Sequence, residues 1–241
     1  MKICVAQIKA IKANYQANIK KHKEFINLAA SLEASTIIFP ELSLTAYEPE
    51  LAKELATSQN DARFDDFQNI ANSKQITIGL GVPTVNDIGV CISMVLFQAN
   101  KARQIYSKKY LHASEEDFFI SGQSPSNLIL NTKTAIAICY EISIPEHAKT
   151  AARSGAEIYI ASIVESKDDI DKAHHNLANI AKNYSMTVLM SNCVGQSGIY
   201  KCAGKSSVWS NAGRLLGQLN CKDEGILIYD TKTQEITSKY F

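Results

Sequence analysis

The sequence predicts an α/β fold built from a mixed β-sheet, or from two packed sheets, with helices on the outside. Two patterns carry this prediction. Near the start of the chain, an apolar run, a helical periodicity and a second apolar run follow one another, which is typical of parallel strands joined by a helix. Further along, short apolar runs alternate with helical ones and with hairpin signals, which adds antiparallel pairs.

The first strand–helix–strand unit shows the clearest pattern. Residues 2–8 form a short apolar run that fits a buried strand. Residues 14–34 repeat apolar side chains, such as Phe25, at helical spacing. Residues 36–39 are β-branched and aromatic, and Pro40 ends that run.

The rest of the chain continues this alternation. The remaining predicted helices cover residues 50–58, 61–73, 145–154 and 169–184. The remaining predicted strands cover residues 75–82, 88–98, 101–107, 126–130, 134–139, 157–162, 187–193, 206–210, 214–219 and 225–230. A hairpin turn is expected at Ala99-Asn100 and another turn at Asn131–Lys133. No linker-like or repeated segment interrupts the chain, so residues 1–241 are expected to form a single domain.

The composition bears on the classes of partner. The apolar share of 46%, the charged share of 20% and the net charge of +1 are ordinary for a globular protein. The basic stretch from Lys20 to Lys23 fits the solvated face of a helix better than a nucleic-acid site. No apolar run is long enough to span a bilayer. We therefore expect neither a nucleic acid nor a membrane as a partner.

The six cysteines follow neither the spacing of a zinc site nor that of a disulfide framework. Most stand alone among apolar or small residues, where thiols act as small core side chains. The pattern favours a reducing, cytoplasmic environment, and no metal or other cofactor is expected.

Glu41 is the first candidate for a catalytic residue. It directly follows a predicted strand that Pro40 ends, and strand ends of α/β sheets are where ligand-binding groups collect. Apolar neighbours, among them Phe39 and Leu42, would desolvate its carboxylate, which raises the carboxyl pKa and suits a general base. A solvated glutamate at the start of a loop is the alternative for this segment alone.

One lysine of the pair Lys108 and Lys109 is the second candidate. Successive side chains of a strand point to opposite faces, so Lys108 and Lys109 cannot both point inward at the end of the strand 101–107. An inward lysine in a dry site stabilises an oxyanion. Two surface lysines are the alternative.

Cys139 is the third candidate. A predicted buried strand runs into this cysteine, and Pro145 follows at a plausible first position of a helix. A nucleophile at such a strand-to-helix corner is held rigidly and exposed, and a nearby lysine would favour its thiolate form. A core cysteine is the alternative.

The three segments together resemble the three signature motifs of the carbon–nitrogen hydrolase (nitrilase) superfamily, in the family's order. Phe39-Pro40-Glu41-Leu42 resembles its glutamate motif, and Tyr106-Ser107-Lys108-Lys109-Tyr110-Leu111 resembles its lysine motif. Ile138-Cys139-Tyr140-Glu141 with Pro145-Glu146 resembles its cysteine motif. Glu115, four residues before Phe119, resembles the family's second glutamate segment.

This resemblance implies a four-layer α-β-β-α sandwich that usually forms dimers or larger homo-oligomers. It also implies an amidase-type mechanism without a cofactor. Glu41 would be the base, Cys139 the nucleophile that forms a thioester, and Lys108 with the backbone N–H of Tyr140 the oxyanion site. Glu115 would orient Lys108 or the substrate.

The sequence departs from the family beside the nucleophile. Family amidases often carry Asp two places after the cysteine and Arg four places after it, where this chain has Glu141 and Ser143. Nitrile-cleaving members tend to carry Trp directly after the cysteine, where this chain has Tyr140. These differences favour a small-molecule amide or carbamoyl-amine as substrate, with nitrile hydrolysis, amide or acyl transfer, or a catalytically silent scaffold as alternatives.

Five further residues are candidates for substrate binding. Tyr47 and Tyr140 are aromatic residues near the motifs, and Phe119 is a third aromatic residue of this kind. Glu141 and Glu165 would select a charged substrate, although a solvated loop explains Glu165 equally well. For the aromatic residues, a place in the core is the alternative.

Two other hydrolase mechanisms have little support. A papain-like enzyme needs a histidine base, and no cysteine-protease signature surrounds Cys139. A metal-dependent hydrolase needs a motif such as His-Glu-x-x-His, which the sequence lacks.

Overall fold

The chain folds into two large β-sheets with helices against their outer faces. The computed structural model describes residues 1–123, 129–130 and 133–241. The described strands are β1 Lys2–Gln7, β2 Thr36–Ile38, β3 Thr77–Val85, β4 Val90–Phe97, β5 Gln104–Ser107, β6 Ile129–Leu130, β7 Thr134–Ile138, β8 Ile158–Ile163, β9 Thr187–Asn192, β10 Val194–Ser197, β11 Tyr200–Ala203, β12 Ser207–Trp209, β13 Leu215–Gln218, β14 Gly225–Asp230 and β15 Ile236–Tyr240. The described α-helices are α1 Tyr15–Ser31, α2 Ala52–Leu55, α3 Asp65–Lys74, α4 Pro145–Arg153 and α5 Ile170–Tyr184. Short 3₁₀ segments cover Pro49–Leu51, Ala62–Phe64, Ala113–Glu115 and Cys139–Ser143.

Both sheets have a parallel centre and antiparallel edges. The strand order of the first sheet is β15-β14-β1-β2-β3-β4-β5, in which β1, β2 and β3 run parallel. The order of the second sheet is β13-β12-β9-β8-β7-β6, in which β7, β8 and β9 run parallel. Strands β10 and β11 form a separate hairpin.

Alternation along the strands sorts side chains between two cores. In β1, Ile3 and Val5 pack in the core between the sheets, whereas Cys4 and Ala6 pack in the core beneath α1 and α3. Helix α1 begins where the Asn14 side chain accepts a hydrogen bond from the first turn, and its apolar face covers this outer core.

The second sheet follows the same rule. In β7, Ile136 and Ile138 point to the core between the sheets, and the small residues Ala135 and Ala137 point to the core beneath α4 and α5. The layers are therefore helix, sheet, sheet and helix, which confirms the predicted α-β-β-α sandwich.

Several predicted boundaries are wrong. The helix expected at 50–58 is only a 3₁₀ turn followed by the four residues of α2. The hairpin β10–β11 was not predicted, because Gly195, Gln196 and Ser197 give no β-strand pattern. The strand β15 was also missed, because this edge strand is mostly exposed and lacks an alternating apolar face.

Two predicted segments include residues that the structure does not describe. Of the predicted strand 126–130 and the turn 131–133, residues 126–128 and 131–132 lie outside the described residues.

Within the described ranges, no helix combines the length and the apolar character that crossing a bilayer would require.

Gly81 allows a close approach between β3 and the turn that carries Glu41. A Cβ atom at Gly81 would lie 2.3 Å from the carbonyl oxygen of Pro40 and 2.4 Å from the backbone nitrogen of Leu42. These neighbours are backbone atoms, so the turn itself would have to move. We expect Gly81→Ala to lower the free energy of unfolding by about 1–3 kcal/mol, measured by chemical denaturation.

Gly89→Ala is the control for this prediction. The nearest atom to a Cβ at Gly89 belongs to the flexible side chain of Ile120, at 3.2 Å. The control should lose less stability than Gly81→Ala. Equal losses in the two variants would contradict a steric limit set by the Glu41 turn.

Candidate active site

Glu41, Lys108 and Cys139 meet at one place although they are far apart in sequence. Each follows the end of a strand: Glu41 follows β2, Lys108 follows β5, and Cys139 follows β7. The first two come from one sheet and the cysteine from the other. The Lys108 Nζ lies 2.8 Å from Glu41 Oε1, and the Glu41 carboxyl and the Cys139 thiol are near enough to shift the pKa of one another.

The Glu41 turn is held by buried hydrogen bonds. Leu42 adopts a left-handed backbone conformation with φ of 49°, and the Leu44 N–H donates to the carbonyl of Gly81. The Ser43 hydroxyl bonds to His22 Nε2 at 3.0 Å and accepts from the Gly81 N–H at 3.3 Å. These contacts fix a fully enclosed carboxylate, which a flexible loop would not hold in place.

Lys108 is fully buried and paired with two carboxylates. Its ammonium donates to Glu41 Oε1 and, at 2.7 Å, to Glu115 Oε1. Its backbone N–H donates to the carbonyl of Ile92, and its carbonyl accepts from Gly122. The structure therefore places Lys108 inward, while Lys109 is partly exposed to solvent.

Glu115 holds the lysine from the other side. Its Oε1 also accepts from the Tyr47 hydroxyl at 3.0 Å, and its Oε2 accepts from the His112 N–H at 2.8 Å. These bonds leave the Glu115 carboxylate little freedom, so it fixes the direction of the Lys108 ammonium.

Cys139 occupies a strained backbone corner. Its φ is 45°, a left-handed conformation that is uncommon for a residue with a side chain, and it opens the 3₁₀ segment Cys139–Ser143. The thiol lies 3.8 Å from the carbonyl oxygen of Val164 and borders an open cavity. A left-handed corner directs the sulfur away from the strand and into that cavity.

Burial and neighbouring charges together shift the pKa values of Glu41, Cys139 and Lys108. Burial raises the pKa of Glu41 to about 7, against the opposing effect of the Lys108 ammonium. Burial and the Glu41 carboxylate raise the pKa of the Cys139 thiol well above its usual value. Burial alone would lower the pKa of Lys108, but the adjacent carboxylates outweigh it and keep the ammonium charged.

The expected effect of the lysine is present, because Lys108 lowers the pKa of the Cys139 thiol, but burial and the Glu41 carboxylate raise that pKa further. The resting thiol is protonated, and a carboxyl with a pKa near 7 stands beside it. This arrangement can transfer a proton from sulfur to carboxylate as the sulfur attacks.

The cavity above the thiol is small, about 230 Å³. Of the predicted site residues, five line it: Tyr47, Glu115, Cys139, Tyr140 and Glu165. Burial, and then the neighbouring Asp169, raise the pKa of Glu165 to about 7. A volume of this size fits a substrate of a few heavy atoms with one end against Cys139.

Glu141 does not lie in this cavity, so its expected role in selecting a charged substrate is wrong. It is fully buried behind the cysteine turn, where backbone amides and a tyrosine hydroxyl occupy its oxygens. Phe119 is a core residue between the sheets rather than a wall of the cavity.

Sequence reasoning missed several residues of the cavity wall. Tyr200 lies on the unpredicted strand β11 and meets the ring of Tyr47 edge-on at 5.4 Å. Lys172 and Asn176 come from α5. Their positions at spacing i and i+4 on a predicted helix were the only available signal, because both fall on one helix face.

Known proteins resemble this chain over most of its length. A family model described as carbon-nitrogen hydrolase matches residues 2–240. The hydrolase in the agr operon of Staphylococcus aureus is 27% identical over 247 residues, which covers 98% of this chain and 93% of that protein. The glutamine-dependent NAD(+) synthetase of Aquifex aeolicus is 24% identical and covers 94% of this chain but only 41% of its own length.

Solved structures of an amidase from Nesterenkonia sp. AN1 share the fold. A mutant of that amidase in complex with butyramide has a TM-score of 0.87 and 23% identity, and the match covers 97% of this chain and 92% of the other. Another of its structures shows the Michael addition of acrylamide at the active-site cysteine of that amidase.

The pKa of Glu41 predicts how the reactivity of Cys139 depends on pH. A protonated Glu41 cannot accept the thiol proton, so alkylation of Cys139 by iodoacetamide should slow as the pH falls through about 7. Mass spectrometry of the modified peptide over a pH series measures this rate. The apparent pKa belongs to the coupled group of Glu41, Lys108 and Cys139.

In Glu41→Gln, the slowing of Cys139 alkylation near pH 7 should disappear, because glutamine does not titrate. The half-buried Cys221 of the same chain is an internal reference for an ordinary thiol. A pH profile for Cys139 that is the same in the wild type and in Glu41→Gln would contradict the prediction.

Proposed function

The chain belongs to the carbon–nitrogen hydrolase family and is an enzyme of that class, and from this we propose that it hydrolyses a small amide or carbamoyl-amine through a thioester on Cys139. One observation carries the proposal. A buried ammonium, that of Lys108, is fixed between Glu41 and Glu115 beside a thiol that borders a small cavity.

Glu41 is the proposed general base of the first step. The Cys139 sulfur attacks the carbonyl carbon of the substrate while its proton passes to Glu41. The raised pKa of the thiol supports this order, because a protonated thiol needs a base at the moment of attack. The second oxygen of Glu41, Oε2, has no hydrogen-bonding partner among the described residues and is available for the proton.

Lys108 and the backbone N–H of Tyr140 are the proposed oxyanion site. The Lys108 ammonium lies near enough to Cys139 for each group to shift the pKa of the other, and its charge would compensate the negative charge that develops on the carbonyl oxygen. Tyr140 is the second residue of a 3₁₀ turn, where backbone N–H groups are not committed to bonds within the turn. Removing one oxyanion donor typically costs about 2.7–4 kcal/mol in the barrier.

Collapse of the tetrahedral intermediate completes acylation. The C–N bond breaks, Glu41 returns its proton to the leaving nitrogen, and ammonia or an amine departs. Water then attacks the thioester with Glu41 as base, and the free acid and the thiol are released. Glu115 acts by holding Lys108 in place throughout.

Glu165, Tyr47 and Tyr140 are the proposed contacts for the rest of the substrate. All three border the cavity, and Tyr47 is anchored by its hydroxyl to Glu115. The amidase of Nesterenkonia, which shares the fold, binds butyramide, and a substrate of similar size suits a cavity of about 230 Å³.

The domain organisation, the location and the oligomeric state are taken from the sequence. We propose that residues 1–241 act as one catalytic domain. A cytoplasmic location and a homo-oligomer of two or more chains stay predictions.

Ammonia release tests the proposed function. The purified protein should release ammonia from at least one small primary amide or carbamoyl compound, and Cys139→Ala should release none, because Cys139 is the only thiol among the described residues that line the cavity. The measurement is a coupled ammonia assay over amides, carbamoyl compounds and nitriles. Equal ammonia release by Cys139→Ala would contradict Cys139 as nucleophile, and release from nitriles alone would replace amide hydrolysis with nitrile hydrolysis.

The charge of Glu165 predicts a preference among substrates. Above pH 7 its carboxylate is ionised and favours an amide whose far end carries an ammonium, such as β-alaninamide, over the neutral butyramide. Glu165→Gln should reduce this preference, measured as the ratio of kcat/KM values, by about tenfold, which corresponds to about 1.4 kcal/mol.

Asp169→Asn is the matched control, since Asp169 borders the same cavity but is exposed to solvent. Its effect should be smaller, because water screens an exposed charge. The preference of the wild type should also weaken below pH 7, where Glu165 becomes protonated. An unchanged ratio in Glu165→Gln would exclude this contact.

A further inference from the structure

A buried carboxylate with no part in the proposed chemistry lies directly behind the cysteine turn. Glu141 accepts a hydrogen bond from the Lys109 N–H at 2.7 Å through one oxygen and from the Ile138 N–H at 2.8 Å through the other. The Tyr106 hydroxyl lies 2.8 Å from both oxygens. Both oxygens of this carboxylate are thus bonded to donors of the protein.

The two amides belong to the neighbours of the catalytic residues. Lys109 directly follows Lys108 at the end of the first sheet, and Ile138 directly precedes Cys139 at the end of β7 in the second sheet. One carboxylate therefore joins the two sheets at the point where the ammonium and the thiol leave them.

We propose that Glu141 is a positioning residue that sets the separation of the Lys108 ammonium and the Cys139 thiol by binding both backbone segments. The inference rests on the proposed function, in which these two groups act on one carbonyl. Glu141 is assigned no substrate contact, because both of its oxygens are bonded to the protein and it does not line the cavity.

A chain of hydrogen bonds extends from the carboxylate, and only its first member, Tyr106, contacts Glu141 directly. The Tyr106 hydroxyl has a single proton, which it donates to Glu141, so its contact with His147 Nε2 at 2.9 Å must be donated by the histidine. His147 Nδ1 then accepts from the Tyr159 hydroxyl at 2.8 Å. Burial, with a smaller contribution from Lys109, lowers the pKa of His147 to about 4, which agrees with this neutral ring.

A carboxylate suits this position better than an amide of the same shape. Three donors, the N–H groups of Lys109 and Ile138 and the hydroxyl of Tyr106, converge on Glu141, and a carboxylate accepts all three. A glutamine offers one oxygen, and its NH₂ group would face at least one of these donors. One backbone segment would then move away.

Glu141→Gln tests the proposal. We expect kcat for the amide that the wild type hydrolyses to fall by about a hundredfold, because a shift of about 1 Å between catalytic groups has that effect. KM should stay close to that of the wild type, since no substrate contact is removed. Alkylation of Cys139 by iodoacetamide should slow as well, which gives a readout independent of turnover.

Tyr159→Phe is the matched control, because it removes a buried hydroxyl from the far end of the same chain of hydrogen bonds and leaves both amide contacts intact. A merely structural role of Glu141 predicts that both variants lose thermal stability and activity together. A positioning role predicts a loss of kcat in Glu141→Gln alone. Glu141→Asp keeps an acceptor with the same charge and should retain more activity than Glu141→Gln.

Each outcome bears on one of the two proposals. Failure of the wild type to release ammonia would overturn the proposed function, and Cys139 alkylation would then decide the positioning role. Normal kcat and normal alkylation in Glu141→Gln, equal losses in Tyr159→Phe, or no recovery in Glu141→Asp would each overturn the positioning role. If Glu141→Gln does not fold, Tyr106→Phe replaces it, and an unchanged kcat in that variant would overturn the proposal.

Discussion

The site depends on a single charge, the ammonium of Lys108, which has no contact with solvent. A buried ammonium is tolerated only when carboxylates compensate it, and here Glu41 and Glu115 both do so within 2.8 Å. One cation beside two carboxylates leaves a net negative charge in a region of low polarity. That imbalance, together with burial, raises the pKa of Glu41 into the range where a base works at neutral pH. Catalytic tuning and local stability thus come from the same contacts.

The surrounding structure serves to hold these three charges. The turn of Glu41 is tied to β3 at Gly81, where a side chain would collide with backbone atoms. Hydrogen bonds from Tyr47 and His112 hold Glu115 in place, and Glu115 in turn holds the Lys108 ammonium. The Lys108 backbone N–H donates to Ile92 of the neighbouring strand β4, and its carbonyl accepts from Gly122. Rigid support of this kind distinguishes a preorganised site from charges that happen to be close.

Much of the fold and of the site was predictable because the signals are local. Apolar periods gave the strands and helices of the core, and residues at strand ends gave Glu41, Lys108 and Cys139. Glu141 was misread because its direction depends on the 3₁₀ turn that starts at Cys139, and periodicity says nothing about such a turn. Tyr200 was missed because its hairpin is short and contains Gly195 and Gln196, which carry no strand pattern. Contacts of this kind are set by tertiary packing, which a single sequence does not display.

The two-sheet architecture has a consequence for the chain before it is fully folded. The proposed base and the ammonium belong to one sheet and the proposed nucleophile to the other, and an apolar core with Ile38 on one side and Ile138 on the other must close before they meet. Until the sheets dock, the sulfur of Cys139 has no base and no cation, and it behaves as an unactivated thiol. Nascent or partly unfolded copies therefore cannot attack the amides around them. The reactive centre appears only with the final docking step, so its chemistry marks a correctly assembled molecule.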